Sequence, residues 1–84
     1  MTIHPLGNRI YFKPEDEQTI LANSNPRKKE RGTVLAVGKD VQEVKVGDMI
    51  IFTPWAVDVY EEHGETYYFV SEDPVTLLAK VEMS

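Results

Sequence analysis

The apolar positions of this chain fall into short runs punctuated by glycine, proline and charged residues, and the runs read as strands, not helices. Ile3, Leu6, Ile10 and Phe12 surround Pro5, Gly7 and Asn8, which predicts a short strand over Ile3–Leu6, a turn, and a second strand over Arg9–Lys13. Gly32–Gly38 is a glycine-bounded strand rich in β-branched residues. Lys39–Glu43 is a short connection, and Val44–Asp48 alternates apolar and polar positions into a Gly-Asp turn feeding the apolar run Met49–Phe52. Pro54 ends that run because it lacks a ladder donor and restricts the residue before it. Trp55–Tyr60 reads as a further strand, Glu61–Glu65 as a hairpin turn and Thr66–Val70 as its returning strand. Ser71–Pro74 is a turn, and Leu77–Glu82 is the last strand. Many short strands with such punctuation predict an all-β fold, a small irregular β-barrel formed by a single domain over residues 1–84.

One stretch breaks the pattern. Between Lys13 and Gly32 the chain is polar except for an apolar island at Ile20-Leu21. A compact domain seldom holds a structureless connection longer than about 12–15 residues unless it has a function or is disordered. The expectation is a long mobile loop, about residues 14–31, carrying a hydrophobic hook for another protein.

Size adds a second expectation. A chain of 84 residues buries only about 60–65 % of its unfolded surface, so such domains often lean on oligomerisation. There is no cysteine to staple the fold. An open barrel edge exposes unpaired backbone groups. Ile3–Leu6 and Leu77–Val81 are short apolar strands at opposite chain ends. Pairing them between neighbours, through Ile3, Leu6, Leu77, Leu78 and Val81, would close every edge and build a ring by heterologous association.

Charge narrows the partners. The net charge of −5 opposes nucleic acid as the main partner, because neutralising phosphates demands a basic surface. The cluster Arg27–Arg31 is offset by Glu15, Asp16 and Glu17 at the other end of the same loop. The amino-terminal residues show neither the basic start nor the apolar run of a secretory signal, and no stretch approaches a membrane span, so a soluble cytoplasmic protein is expected. His4 and His63 have no zinc-like spacing, so no metal site is expected. No nucleophile–base constellation or phosphate-binding glycine loop stands out, and a non-catalytic protein without a cofactor of its own is expected.

These residues resemble the GroES co-chaperonin family, the lid of the chaperonin folding cage. Pro5-Leu6-Gly7-Asn8-Arg9-Ile10 is similar to the family's P-L-x-D-R-V opening. Arg31–Gly38 resembles its R-G-x-V-x-A-V-G segment, and Val44–Phe52 resembles V-K-V-G-D-x-V-x-F. Tyr67–Glu72 followed by Leu77-Leu78-Ala79 echoes the closing strand, turn and strand. The resemblance covers most of the chain in the right order. It implies a seven-membered ring that caps a GroEL-type chaperonin when ATP is bound to that partner, enclosing an unfolded protein substrate. By position, it places the apolar tripeptide that enters the chaperonin apical domain on Thr19-Ile20-Leu21. It also implies an aromatic facing the cavity, the role expected for Trp55.

Three departures from the family pattern stand out. The loop is shorter on its amino-terminal side and lacks the usual glycine pair. Thr19 replaces an aliphatic anchor. Only Lys39–Glu43 remain where a roof hairpin normally separates the two central segments, which implies a wider opening at the apex of the dome. Shortened roofs are a habit of phage-encoded relatives and are compatible with a viral origin. The alternative reading is a small barrel that binds single-stranded nucleic acid, with Tyr67, Tyr68 and Trp55 as stacking platforms and Arg27–Arg31 as a backbone clamp.

Overall fold

The computed structural model describes residues 3–15, 30–73 and 77–81. Six strands form one sheet: β1 (Arg9–Pro14), β2 (Glu30–Val37), β3 (Met49–Phe52), β4 (Asp58–Glu62), β5 (Glu65–Ser71) and β6 (Leu77–Val81). Their spatial order is β4-β5-β1-β2-β3-β6, with every pairing antiparallel. The all-β expectation holds, and β3 has the bounds read from the sequence.

The alternation of β1 and β5 decides which face is the core. Ile10 and Phe12 point inward, as do Tyr68 and Val70, and they meet Val34, Val44, Ile50 and Phe52 in one buried cluster. The Phe12 and Phe52 rings lie 4.6 Å apart at 56°, a tilted contact of the kind aromatic pairs prefer. Burying each such side chain contributes about 1.5–3 kcal/mol against the conformational entropy of ordering it. Val37, Val41, Val57 and Leu77 pack around this cluster.

Two bulges bend the sheet around that core. Tyr11 faces Ala36 while Phe12 faces Val34, so Leu35 is an extra residue on β2. Ile51 faces Ala79 while Phe52 faces Leu77, so Leu78 is an extra residue on β6. A bulge kinks its strand and increases the local twist. The result is a small irregular barrel whose ladder does not close among the described residues, leaving β4 and β6 as edges.

Several expectations are corrected. Trp55–Tyr60 is not one strand: Pro54–Ala56 forms a 3-10 turn, closed by Ala56 N–H to Thr53 O at 3.0 Å and Val57 N–H to Pro54 O at 3.2 Å. Proline's fixed φ suits the first position of such a turn, and β4 starts only at Asp58. Val44–Asp48 forms no strand before its expected turn, which closes with Asp48 N–H bonded to Lys45 O and the Asp48 carboxylate accepting Lys45 N–H at 3.0 Å. Residues 3–6 form no strand.

Candidate functional site

The loop expected to dock a partner starts and ends on adjacent strands. Pro14 pairs with Gly32 across β1 and β2, Glu15 N–H bonds to Arg31 O at 2.9 Å, and Arg31 Nε lies 3.7 Å from Glu15 Oε2. That ion pair is half exposed and contributes at most about 1 kcal/mol. The sheet therefore reaches further into the polar stretch than expected, taking Pro14, Glu30 and Arg31, because ladder bonds are made by backbone and ask nothing of the side chains. Thr19, Ile20 and Leu21 lie outside the described residues.

The residues expected at an assembly edge differ in exposure. Leu6 is 80 % exposed, Leu78 is 50 % exposed and Val81 is 38 % exposed. The β6 bulge explains Leu78: with no residue opposite it on β3, its side chain is released from the inward alternation. Leu77 instead packs on the core, and Ile3 is half buried. Leu6 precedes a turn at Gly7-Asn8 tied down by Arg9 N–H to Leu6 O (3.2 Å) and Asp40 N–H to Gly7 O (2.9 Å). The strand β1 continues this anchorage through Arg9 O, which accepts Gly38 N–H at 2.9 Å.

A residue that sequence reasoning missed organises the space beside β6. Each oxygen of the Glu72 carboxylate accepts one backbone N–H, from Gln42 and from Glu43, both at 2.9 Å. Its own N–H bonds to Asn8 O, and Lys80 Nζ donates to Glu43 O. The shortened connection 39–43 is thus held to the amino-terminal turn, the end of β5 and β6 at once. A cleft of about 350 Å³ opens among Gln42, Glu43, Glu72, Asp73, Leu77 and Leu78. No local signal marks Glu72, since its partners lie about thirty positions away in the chain.

The remaining expectations resolve as follows. The backbone of Trp55 sits in the 3-10 turn, and the cavity role expected of its side chain lies outside what the structure describes. Tyr67 and Tyr68 are adjacent in a strand and project to opposite faces. Tyr68 is 2 % exposed in the core, and Tyr67 is covered by its ring neighbours Tyr11 and Tyr60, so the pair forms no open stacking platform. The Tyr67 hydroxyl donates to Glu65 Oε2 at 2.7 Å. That bond, with partial burial and the nearby carboxylates, pushes its phenol up to about 12. Among the described residues no three His, Cys, Asp or Glu side chains gather as a metal site, and no helix is long and apolar enough to cross a membrane.

Residues 2–81 match the family described as chaperonin 10 Kd subunit. Named relatives agree over nearly full length. The chain is 34 % identical to Co-chaperonin GroES of Kosmotoga olearia, with 98 % of this chain and 99 % of that protein covered. It is 36 % identical to Co-chaperonin GroES of Glaesserella parasuis, covering 98 % of this chain and 100 % of the relative. With Co-chaperonin GroES of Chlamydia felis the identity is 38 %, over 89 % of this chain and 88 % of that protein. An all-β barrel with one unblunted edge and family likeness along almost its whole length leads to one conclusion: the chain belongs to the GroES co-chaperonin family.

Proposed function

We infer that this protein is a co-chaperonin that assembles into a ring and caps an ATP-bound GroEL-type chaperonin, enclosing a non-native protein for folding. It does no chemistry itself; ATP belongs to the partner. The observation that carries the reading is the β6 edge, where Leu78 and Val81 are exposed on a strand with no outer neighbour among the described residues, in a chain whose amino-terminal Leu6 is also exposed. Adding Ile3–Leu6 of one subunit to β6 of the next satisfies both segments, and seven copies is the family expectation.

Docking is assigned to Thr19-Ile20-Leu21. Burying Ile20 and Leu21 in an apical groove contributes about 1.5–3 kcal/mol each. Ordering the loop opposes it by about 1–2 kcal/mol per fixed residue. One loop therefore binds weakly, which suits a lid that must leave in every cycle. A ring of loops makes each later contact intramolecular and raises avidity by orders of magnitude. Loss of the glycine pair lowers the entropy lost on docking and partly offsets the weaker Thr19.

The test is a pull-down with a GroEL-type chaperonin with and without ATP, using the natural chain and Leu21→Asp. ATP-dependent capture is expected, abolished by Leu21→Asp while ring mass and circular dichroism stay unchanged. Capture that ignores ATP, or no capture, overturns the lid reading. A ring that fails to assemble in Leu21→Asp would make Leu21 a core residue.

A further inference from the structure

The sheet has a second edge, and its chemistry differs from that of β6. The β4–β5 hairpin turns through His63 and Gly64, both at positive φ (53° and 80°), the pattern of a two-residue type I′ turn. In such a hairpin the closing pair, Glu62 and Glu65, exchanges both backbone bonds, and the bonded pairs then alternate. Asp58, Tyr60 and Glu62 therefore spend their backbone groups on β5. Val59 and Glu61 point theirs away from the sheet, to an edge with no neighbour among the described residues.

Side chains on this edge are equally distinctive. Tyr60 is 52 % exposed and Val59 is 42 % exposed, on opposite faces of the strand. The Tyr60 ring stacks on Tyr67 at 6.1 Å, Tyr67 meets Tyr11 at 6.0 Å, and Tyr11 meets Phe69 at 5.5 Å. This aromatic row lies on the sheet face opposite the core. Asp58 and Glu62 flank Tyr60 on the same face, Glu65 sits opposite Glu62, and Glu61 shares the Val59 face. From Asp58 to Ser71 there are four carboxylates and no lysine or arginine; Arg9 and Lys13 lie across β5, on β1. The Tyr67 phenol is shifted upward first by its hydrogen bond to Glu65 and by burial, and further by the charges of Glu65 and Glu62.

We propose that β4 is a docking edge for an extended segment of non-native polypeptide in which arginine or lysine alternates with apolar residues. Three requirements point to that occupant. The open donors and acceptors of Val59 and Glu61 are satisfied by a strand whose own backbone is unpaired, the condition of a non-native chain. On one face an exposed ring between carboxylates suits a cation, which gains from the ring quadrupole and from both charges. On the other face Val59 suits an apolar side chain, so cationic and apolar residues must alternate. The same carboxylates repel a second β4 edge, which keeps the site from pairing with copies of itself. The proposal rests on subunits joining through β6, because that assembly leaves β4 open in each copy.

The test uses the assembled protein and four acetylated, amidated pentapeptides: RVRVR, its negative counterpart EVEVE, the non-alternating RRRVV, and RVRVR with N-methylated backbone at the positions that would bond β4. Affinity is measured by calorimetry and mapped by amide chemical shifts. RVRVR is expected to bind with the largest shifts at Val59 and Glu61, and EVEVE not at all. N-methylation is expected to weaken binding about ten-fold by removing the strand bonds, and Tyr60→Ala about three-fold. Val59→Pro removes an outward N–H without touching the internal ladder, so it should abolish RVRVR binding and leave ring mass unchanged. Equal binding of RVRVR and RRRVV, or indifference to N-methylation, would reduce the effect to diffuse charge and overturn the proposal. Loss of the ring in Val59→Pro would make β4 the assembly edge, overturning the β6 assignment as well. A natural-sequence ring that binds no peptide overturns the docking edge alone.

Discussion

Replacing Gly38 by alanine tests how the fold presents the assembly edge. An alanine Cβ at this position would lie 2.2 Å from Gly7 O, 2.9 Å from the Gly7 carbonyl carbon and 3.0 Å from that of Leu6. All three are backbone atoms, so no side chain can rotate away, and the gap must open by about 1 Å to reach ordinary contact. Hydrogen bonds span that gap: Gly38 N–H to Arg9 O and Asp40 N–H to Gly7 O, both at 2.9 Å. A shift of that size breaks or badly stretches both, at about 1 kcal/mol each, so Gly38→Ala should destabilise by about 2 kcal/mol. A domain of this size holds about 4–13 kcal/mol, so the variant still folds. On the proposed assembly through residues 3–6, association should suffer more than folding, because the displaced backbone carries Leu6. Urea unfolding at several protein concentrations separates subunit stability from association, and sedimentation velocity follows the ring directly. A variant with an unchanged urea midpoint that assembles at the natural concentration would refute the idea that Gly38 seats the amino-terminal segment.

Three further outcomes are expected. Glu72→Ala removes both acceptors for Gln42 and Glu43 N–H; because the site is solvent-accessible the loss is about 1–2 kcal/mol, and amide hydrogen exchange at residues 42 and 43 accelerates. Glu72→Gln, with one carbonyl oxygen, restores part of the protection, and unchanged exchange in both variants would show that the clamp does not hold the connection. His63→Asn relieves a non-glycine residue at φ 53° in a turn that favours Asn-Gly, raising stability by about 0.5 kcal/mol in urea; a loss of stability would contradict the turn type. The Tyr67 phenol, pushed up to about 12 from 10.0, favours the neutral form in the folded state. Its contribution is complete below pH 10 and is lost as pH rises from 10 to 12. Ultraviolet titration should show Tyr67 ionising late and moving to lower pH in Glu65→Gln, because the Glu65 hydrogen bond is the largest cause of the shift.

What could be read from the chain divides along a physical line. Phe12, Ile50, Phe52 and Val70 lie in segments read as strands, because a short apolar or β-branched run bounded by turn residues is a local signal. The Met49–Phe52 strand was legible in full for that reason. Bulges are not local: Leu78 looks like any strand residue until the pairing of β6 with β3 shows two residues facing Phe52. The Glu72 clamp joins segments far apart in sequence, and Tyr67 and Tyr68 looked like one platform only because neighbours in a strand are neighbours in the string. Trp55–Tyr60 failed where β-propensity met Pro54, whose fixed geometry starts a 3-10 turn.

The two edges of the sheet carry opposite solutions to one problem. An open edge invites pairing, and proteins that must stay apart blunt it with charge. The β4 edge is blunted by Asp58, Glu61 and Glu62, whereas β6 has Lys80 alone beside Leu77, Leu78, Ala79 and Val81. An edge left apolar, in a chain with an exposed Leu6, is the one proposed to be covered by assembly. The segment proposed to cover it contains Pro5, which has no N–H to offer. Once residues 3–6 add to a neighbour's β6, the new outer strand lacks that donor and makes a poor template for another. Pairing then stops at one strand per subunit, which is what a closed ring requires and an open stack of sheets does not.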